Sequence, residues 1–589
     1  MGHDIRELAS LINEGRYAEV ERSAEQITGQ FPDNGFAWKA LAVALHLQNR
    51  TPEARIAMEK AVELAPQDAE AHFNLASILQ KLGHREEAVT HSRRALQLRP
   101  EHADGHYNLG VMLHDLGQRD EAINCYRTAL RLNPDFARAY LNLGSTLQEC
   151  GQWDEAETCY RMALALREDY AQAYTNLGTV LKKRGNLAEA EANQRKALEI
   201  NPVLAESHTN LGNTLRARGH LEEAEECYRT AIAITPASAD AHANLATLLR
   251  DRGRLEEAAK SYETALLLKP DCTDVRLNRA ILLLALGHYR EGWESYESRL
   301  NPDRADGMVY IKPDAPYAQW SGENLHGKSI LVWKEQGLGD EIQFIRYLPL
   351  LKARGATSVT LVCMPELCEL FRDMPGLDRV LAFSVNMPLP PHDYWTFLLS
   401  LPLRFQTTVE TIPARVPYLK ASPEKVALWG TRLPAGHRVG LIWKGSTRHT
   451  NDANRSLPGL ATLAPLWSVP KITFISLQKG QGEDEAANPP PGQPLLDVVR
   501  MIEDFSDTAA IITQLDLVIT VDTSAAHLAG ALGTPCWLLL PAIGSDWRWL
   551  RDREDSPWYP GVMRLFRQKR HGGWDELIGR VRNRLAEMP

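Results

Sequence analysis

The chain has 589 residues, well beyond the size at which one hydrophobic core keeps growing, and the length predicts roughly three to four domains. Sixty-six basic and 75 acidic side chains give a net charge of −9, which argues against a general nucleic-acid-binding surface. No window approaches about 18 uninterrupted apolar residues, and residues 1–7 lack an export signal, so we expect a cytoplasmic protein with no membrane partner.

An Asn-Leu-Gly/Ala pattern recurs every 34 residues through the first half of the chain. A helix-turn-helix unit of this length cannot bury its apolar face alone, so units must stack and the asparagines must align on one surface. Prolines after the second helices, with Glu168 as the one exception, glycines in the turns and alanines at close helix contacts keep the same phase. The asparagines are Asn74, Asn108, Asn142, Asn176, Asn210, Asn244 and Asn278.

These positions together resemble tetratricopeptide repeats, which implies a right-handed superhelix of helix pairs over residues 1–302. A single asparagine is equally explained by a hydrogen bond between helices, but a row of amides can pair with the backbone of an extended peptide. In O-GlcNAc transferases the matching asparagines hold the acceptor polypeptide, so the resemblance implies a polypeptide acceptor. Basic residues near the later turns form a strip that is either a solvated face or an aid to acceptor steering.

After residue 302 the repeat disappears, and buried strands alternate with loops and helices. The alternation predicts two mostly parallel α/β halves, residues 303–425 and 426–589, with a cleft between them. In the second half a helix opens at Thr523 directly after a strand, which places free backbone N–H groups where a phosphate is well held.

Several motifs in these halves resemble the ADP-heptose:lipopolysaccharide heptosyltransferase type of GT-B glycosyltransferase. They are Gln336-Gly337-Leu338-Gly339-Asp340, Lys444-Gly445-Ser446, Asn454-Arg455-Ser456-Leu457-Pro458 and Val521-Asp522-Thr523-Ser524-Ala525-Ala526-His527. The whole chain resembles bacterial tetratricopeptide-fused transferases, a group that includes flagellin glycosyltransferases. The resemblance implies an α-helical solenoid followed by a GT-B fold of two Rossmann-like domains, an inverting reaction and no metal.

The resemblance gives Asp340, in the loop with Gly337 and Gly339, the role of general base towards an acceptor hydroxyl. The alternative is that Asp340 caps the helix that begins there, and the adjacent Glu341 leaves open which carboxylate faces the cleft. Lys444 and Arg455 are candidates for neutralising the donor phosphates, or else are surface charges on loops.

Further donor-binding candidates follow strands of the second half. Thr523, Ser524 and Ala525 would offer backbone N–H groups to a phosphate. Asp522 could accept from a ribose hydroxyl or act as a structural cap. His527 either points at the donor or is a packed core residue, and Gln478 lies where GT-B folds often contact the nucleotide base.

We therefore expect a protein O-glycosyltransferase that moves a sugar from a CMP-, UDP-, GDP- or ADP-linked donor to Ser or Thr of a polypeptide, flagellin being the first candidate. It needs no cofactor beyond the nucleotide-sugar substrate. One alternative is a scaffold whose GT-B half has lost catalysis, and another is a transferase that acts on a saccharide. Eight cysteines without a Cys-x-x-Cys pair favour reduced thiols over a metal site.

Overall fold

The computed structural model describes residues 8, 10–302, 304, 310–447, 449 and 451–588. The chain divides into two compact units, Met1–Asn244 and Leu245–Pro589. Residues 1–7, on which the expected lack of an export signal rests, lie outside the described residues. None of the described helices is both long and apolar enough to cross a membrane.

The first unit and the beginning of the second consist of paired helices in steady alternation. Polar side chains start several of them; Asp68, for example, accepts hydrogen bonds from the backbone N–H groups of Glu70 and Ala71. The helices are Tyr17–Gln30, Gly35–Leu47, Thr51–Leu64, Ala69–Lys81, Arg85–Leu98, Ala103–Asp115, Arg119–Leu132, Ala137–Glu149, Trp153–Leu166, Ala171–Lys183, Leu187–Ile200, Ala205–Ala217, Leu221–Ile234, Ala239–Asp251, Leu255–Leu268, Thr273–Ala285 and Tyr289–Tyr296.

The turn between the helices of each pair requires a left-handed residue. The glycines that keep the repeat phase there have φ between 74° and 85°, as the sequence predicts, and Asn49 takes the same place with φ 63°. Close helix contacts fall where the alanines recur, and Ala88, Ala122 and Ala156 are fully buried.

A second contact within the pairs joins a glycine of the first helix to a tyrosine of the second. A Cβ added at Gly144 would lie 2.7 Å from the ring of Tyr160, and one added at Gly212 would lie 2.6 Å from the ring of Tyr228. The tyrosine rings therefore pack directly on the helix backbone, where only glycine leaves room for them.

The second unit contains two parallel sheets. The first has the strand order β1-β5-β2-β3-β4 and the second has the order β11-β10-β9-β6-β7-β8. The strands are β1 Ala318–Gln319, β2 Ser329–Trp333, β3 Ser358–Cys363, β4 Arg379–Ala382, β5 Tyr394–Phe397, β6 His437–Ile442, β7 Ile472–Ser476, β8 Leu496–Asp497, β9 Leu517–Val521, β10 Cys536–Leu540 and β11 Met563–Arg567.

Helices cover these sheets, and their central strands are buried. The register pairs Leu331 of β2 with Thr360 of β3 and Trp395 of β5. The α-helices are Leu338–Phe344, Leu348–Ala353, Cys368–Phe371, Leu401–Arg404, Pro423–Gly430, Asp452–Arg455, Glu483–Ala487, Phe505–Ile512, Ser524–Leu532 and Trp574–Ala586.

The last repeat belongs to the same compact unit as the sheets. Trp293 packs edge-on against Trp547 at 5.2 Å and against Phe344 at 6.3 Å between ring centroids. Tyr289 accepts a hydrogen bond from the indole N–H of Trp558 at 3.1 Å. Buried aromatic rings thus fix the end of the solenoid to both α/β halves.

Candidate functional site

The segments that follow β2 and β9 pack against each other. Gly339, in the first turn of helix Leu338–Phe344 after β2, lies against the start of helix Ser524–Leu532, which follows β9. A Cβ at Gly339 would lie 2.9 Å from Cδ2 of His527 and 3.4 Å from Cα of Ser524. The structure therefore brings together the two motifs that the sequence placed almost 190 residues apart.

Asp340 stands at this junction with both carboxylate oxygens engaged. Oδ2 accepts the backbone N–H of Gly337 at 2.9 Å, so the residue does cap its helix. Oδ1 forms an ion pair with Arg548, which follows β10. Burial raises the pKa of Asp340, and the Arg548 guanidinium opposes that rise.

Arg548 is the centre of a buried polar cluster. It pairs with both carboxylate oxygens of Asp546 at 2.9 and 2.8 Å and donates to Oε1 of Gln343 at 2.7 Å. Its guanidinium also lies 4.5 Å from the ring centroid of Trp547. One side chain thus ties the loop after β10 to the helix that follows β2.

Glu341 turns away from this cluster, which answers the question of which carboxylate lies at the junction. Its Oε2 accepts the backbone N–H of Met364 at 3.0 Å, at the end of β3. The side chain is fully buried, and Oε1 has no hydrogen-bond partner among the described residues. Burial raises the pKa of Glu341 to about 7.

Glu341→Gln should remove a pH-dependent loss of stability. Because the folded state raises the pKa of Glu341 from 4.5 to about 7, the wild type should lose stability relative to the variant as pH rises through this window, by about 3 kcal/mol in total. Urea unfolding at pH 4.5, 6 and 8 measures the difference. The exposed Glu366→Gln variant is the control, and a constant difference between Glu341→Gln and wild type would contradict the expectation.

Lys444 and Gln478 organise the loops after β6 and β7. The Lys444 ammonium pairs with Oε1 of Glu485 at 2.8 Å. The Gln478 amide oxygen accepts the N–H groups of Trp443 and Lys444 at 2.9 Å, and its nitrogen donates to the carbonyl of Gln481 at 2.7 Å. Gln478 therefore holds the two loops together and is buried beneath them.

A cavity of about 320 Å³ opens beside Lys444. Its walls come from the loop after β6, the loop after β7 and the segment before the last helix. The lining includes Asn454, Ser456, Gln481, His571 and Trp574.

Arg455 lies against the backbone at the end of β9. It donates to the carbonyl of Asp522 at 3.1 Å, and its Nε is 3.3 Å from Oδ1 of Asp452. A Cβ at Gly445 would lie 2.7 Å from the guanidinium, so the glycine gives Arg455 its place. Burial and the charge of Asp546 raise the pKa of Asp522 to about 6. The guanidinium of Arg455 and the carboxyl groups of Asp452 and Asp522 therefore lie close to one another.

Helix Ser524–Leu532 begins with small residues at this edge. Thr523 precedes it, and no side chain of the described residues caps it. Its first N–H groups and the positive end of its dipole therefore lie at the junction, and the side chains of Ser524 and Ala525 there are small.

His527 is a packed residue of the same helix. Its Nδ1 is 2.9 Å from the hydroxyl of Tyr559, and its ring stacks on Trp549 at 5.2 Å between centroids. Burial and the nearby Arg548 and Arg346 guanidinium groups hold the pKa of His527 well below its usual range. The neutral imidazole of His527 therefore packs directly against Gly339.

The repeated asparagines differ in how they are used. Asn142 donates to the hydroxyl of Tyr107 at 3.0 Å and Asn176 donates to Oγ of Ser145 at 3.2 Å, so both link adjacent helix pairs. Asn108 is exposed. Half-buried positions complete the set, namely Asn74, Asn210, Asn244 and Asn278, the last of which accepts from Arg250 at 3.4 Å.

The most important residue of the junction that the sequence did not reveal is Arg548. An arginine between two tryptophans in a loop after a strand was its only signal, and such a pattern is equally typical of packing.

Among the described residues no group of three or more His, Cys, Asp or Glu side chains could hold a metal ion. The Cys363 and Cys368 sulfurs lie 3.5 Å apart.

Comparison with known families identifies the repeats. Models described as tetratricopeptide repeat match residues 10–69, 135–202, 169–237, 209–273 and 243–304, and a TPR repeat model matches residues 110–149. The first half of the chain is a tetratricopeptide-repeat solenoid. A model of anaphase-promoting complex, cyclosome, subunit 3 matches residues 48–129 of this solenoid.

One curated relative is Protein FlbA of Caulobacter vibrioides, which is 31 % identical over 314 residues, covering 49 % of this chain and 51 % of the relative. The chain thus spans about half the length of this relative. Similar solved structures include the APC/C hetero-tetramer Cut9-Hcn1, with TM-score 0.37, 16 % identity and 49 % and 57 % coverage of the two chains. Another is TTC0263, a TPR protein of Thermus thermophilus, with TM-score 0.28, 27 % identity and 31 % and 100 % coverage.

Proposed function

We propose that the chain is a protein O-glycosyltransferase that uses a nucleotide sugar, with the tetratricopeptide repeats holding the polypeptide acceptor and flagellin the first acceptor to test. The observation that carries the proposal is the contact between the first turn of helix Leu338–Phe344, which contains Gly339 and Asp340, and the start of helix Ser524–Leu532. A carboxylate and an anion-binding helix end lie at one junction, which is what transfer from a phosphate-linked sugar requires.

The reaction follows from these groups. The acceptor hydroxyl oxygen attacks the anomeric carbon and gives its proton to the Asp340 carboxylate. The bond between the anomeric carbon and the phosphate oxygen breaks, and the electron pair leaves with the nucleotide. Lys444, Arg455 and the N–H groups of the helix start stabilise the charge on that leaving group.

A non-catalytic binding module is the second candidate. It is favoured by one observation: both oxygens of Asp340 already have partners, the Arg548 guanidinium and the Gly337 N–H. As a base, Asp340 must offer an oxygen to the acceptor while it keeps the ion pair, which a carboxylate with several lone pairs can do.

Nucleotide binding should show whether the α/β half binds a nucleotide-sugar donor at all, which the transferase requires. Thermal unfolding of the full chain with CMP, UDP, GDP and ADP should show stabilisation by one nucleotide, because a ligand that binds only the folded state raises the unfolding temperature. The shift should fall strongly in Lys444→Met and Arg455→Met, which lack the phosphate-facing cations.

The exposed Lys420→Met variant is the matched control and should keep the full shift. No shift with any nucleotide would contradict donor binding. A shift that all three variants retain would remove Lys444 and Arg455 from the donor site.

A further inference from the structure

A pair of thiols lies at the carboxyl edge of the first sheet, in a segment that the proposed transfer does not use. Cys363 is the last residue of β3, and Cys368 is the first residue of helix Cys368–Phe371. A short turn of 3-10 helix, Pro365–Leu367, joins the two elements. The two sulfurs therefore lie 3.5 Å apart, close enough for a thiol–thiol hydrogen bond.

The two thiols differ in their access to solvent. Cys363 is fully buried, whereas Cys368 is partly exposed at the start of its helix. The Cys368 sulfur also lies 3.7 Å from the carbonyl oxygen of Met364, which follows Cys363 in the chain. A small oxidant therefore reaches Cys368 from solvent and finds Cys363 next to it. An accessible thiol beside a second, resolving thiol is the arrangement from which intramolecular disulfides form.

The charges around this thiol pair disfavour thiolate anions. Burial raises the pKa of both thiols, and the carboxylates of Glu341 and Glu366 raise it further. A dithiol that is stabilised as a thiolate is a strong oxidant, because its reduced form is the favoured one. The reduced Cys363–Cys368 pair gains no such stability, which leaves the disulfide accessible at equilibrium. The scarcity of thiolate makes its formation slow.

The thiol pair lies where segments of the two α/β halves meet. Helix Cys368–Phe371 contacts helix Phe505–Ile512 of the second half. Met364, between the two cysteines, donates its backbone N–H to Glu341 in the helix that follows β2. A covalent bond between the two sulfurs would therefore fix the segment that touches both of these helices.

We infer that Cys363 and Cys368 are oxidised to a reversible disulfide by a small disulfide compound such as oxidised glutathione. The Cys368 thiolate attacks one sulfur of the oxidant, releases one glutathione thiolate and becomes a mixed disulfide. The Cys363 thiolate then attacks the Cys368 sulfur, and the second glutathione leaves with the electron pair of the broken bond. The two protons of the protein thiols pass through solvent to the two glutathione thiolates. This modification goes beyond the proposed sugar transfer and does not depend on it.

Peptide mapping of the full chain, incubated with equal concentrations of reduced and oxidised glutathione, tests the disulfide. Trypsin cleaves after Arg354 and Arg372 and at no basic residue between them, so one peptide, residues 355–372, contains both cysteines. After alkylation without reduction, most of this peptide should carry no alkyl group and should be lighter by two hydrogens. Reductant should restore both thiols. The equilibrium constant should be at least about tenfold larger for the folded chain than for the chain in urea, because only the fold holds the two sulfurs in contact.

Single variants separate the roles of the two thiols. Cys363→Ala should trap glutathione on Cys368 because the resolving thiol is missing, and Cys368→Ala should leave the buried Cys363 reduced. Cys536→Ala removes another fully buried cysteine and is the matched control, so it should form the disulfide as the wild type does. The inference is overturned if the wild-type peptide keeps both thiols, if glutathione stays on Cys368 in the wild type, or if the unfolded chain forms the disulfide as readily as the folded chain.

Discussion

Asp340→Asn should reduce sugar transfer by about 10³-fold once the donor nucleotide is known, since a general base contributes roughly 10²–10⁴ to the rate. The amide oxygen can still accept the N–H of Gly337, so the helix cap survives. The amide cannot take the proton of the acceptor hydroxyl, so kcat should fall while nucleotide binding persists. Intact-mass analysis of the acceptor over time measures the transfer.

Asp546→Asn is the matched control for this change. Asp546 also pairs with Arg548, so both variants weaken the same buried cluster. We expect Asp546→Asn to keep at least about a tenth of the wild-type transfer rate, because it lacks the base function. Equal losses in the two variants would show that Asp340 acts only through the cluster, and full transfer by Asp340→Asn would exclude it from the mechanism.

Arg548→Met should lower the free energy of unfolding by about 2–3 kcal/mol, because it leaves the half-buried carboxylates of Asp340 and Asp546 without their cation. The loss should shrink as pH falls, because burial raises the pKa of Asp340, and its carboxyl group then takes up a proton and loses the charge that needs a partner. Urea unfolding at pH 5.5 and pH 8 measures both effects.

Arg553→Met provides the comparison from the same loop. Arg553 pairs with Asp555 at 2.7 Å, but the two side chains are 39 % and 58 % exposed. Such a surface pair contributes about 0–1 kcal/mol, so the variant should change stability little at either pH. A loss in Arg548→Met no larger than in Arg553→Met would show that the cluster does not hold the two halves of the second unit together.

The sequence by itself determined the repeats and the central strands. The 34-residue phase predicts the helix pairs, their left-handed glycine turns and their buried alanines because each repeat must satisfy the same local contacts. The strands Ser329–Trp333, Ser358–Cys363 and Leu517–Val521 are mostly apolar runs, as expected of central parallel strands that are buried on both faces.

Only the tertiary structure decided the sheet edges, the unit boundary and the polar contacts. Strands β1, β4, β8 and β11 form the four edges of the two sheets, where short length or partial exposure weakens the apolar pattern by which a sequence shows a strand. The last repeats, from residue 245 onwards, belong to the same compact unit as the sheets, because Trp293 and its aromatic neighbours pack there on the sheets.

The Asp340–Arg548 pair and the unpaired Gln194 are likewise set by three-dimensional contacts. Asp340 and Arg548 are 208 residues apart in the chain, and no local pattern reports such a contact. The Gln194 amide packs against Gly178 and has no hydrogen-bond partner among the described residues, which the repeat pattern alone does not show. Periodicity determines local structure, whereas buried polar partners depend on the packing of distant segments.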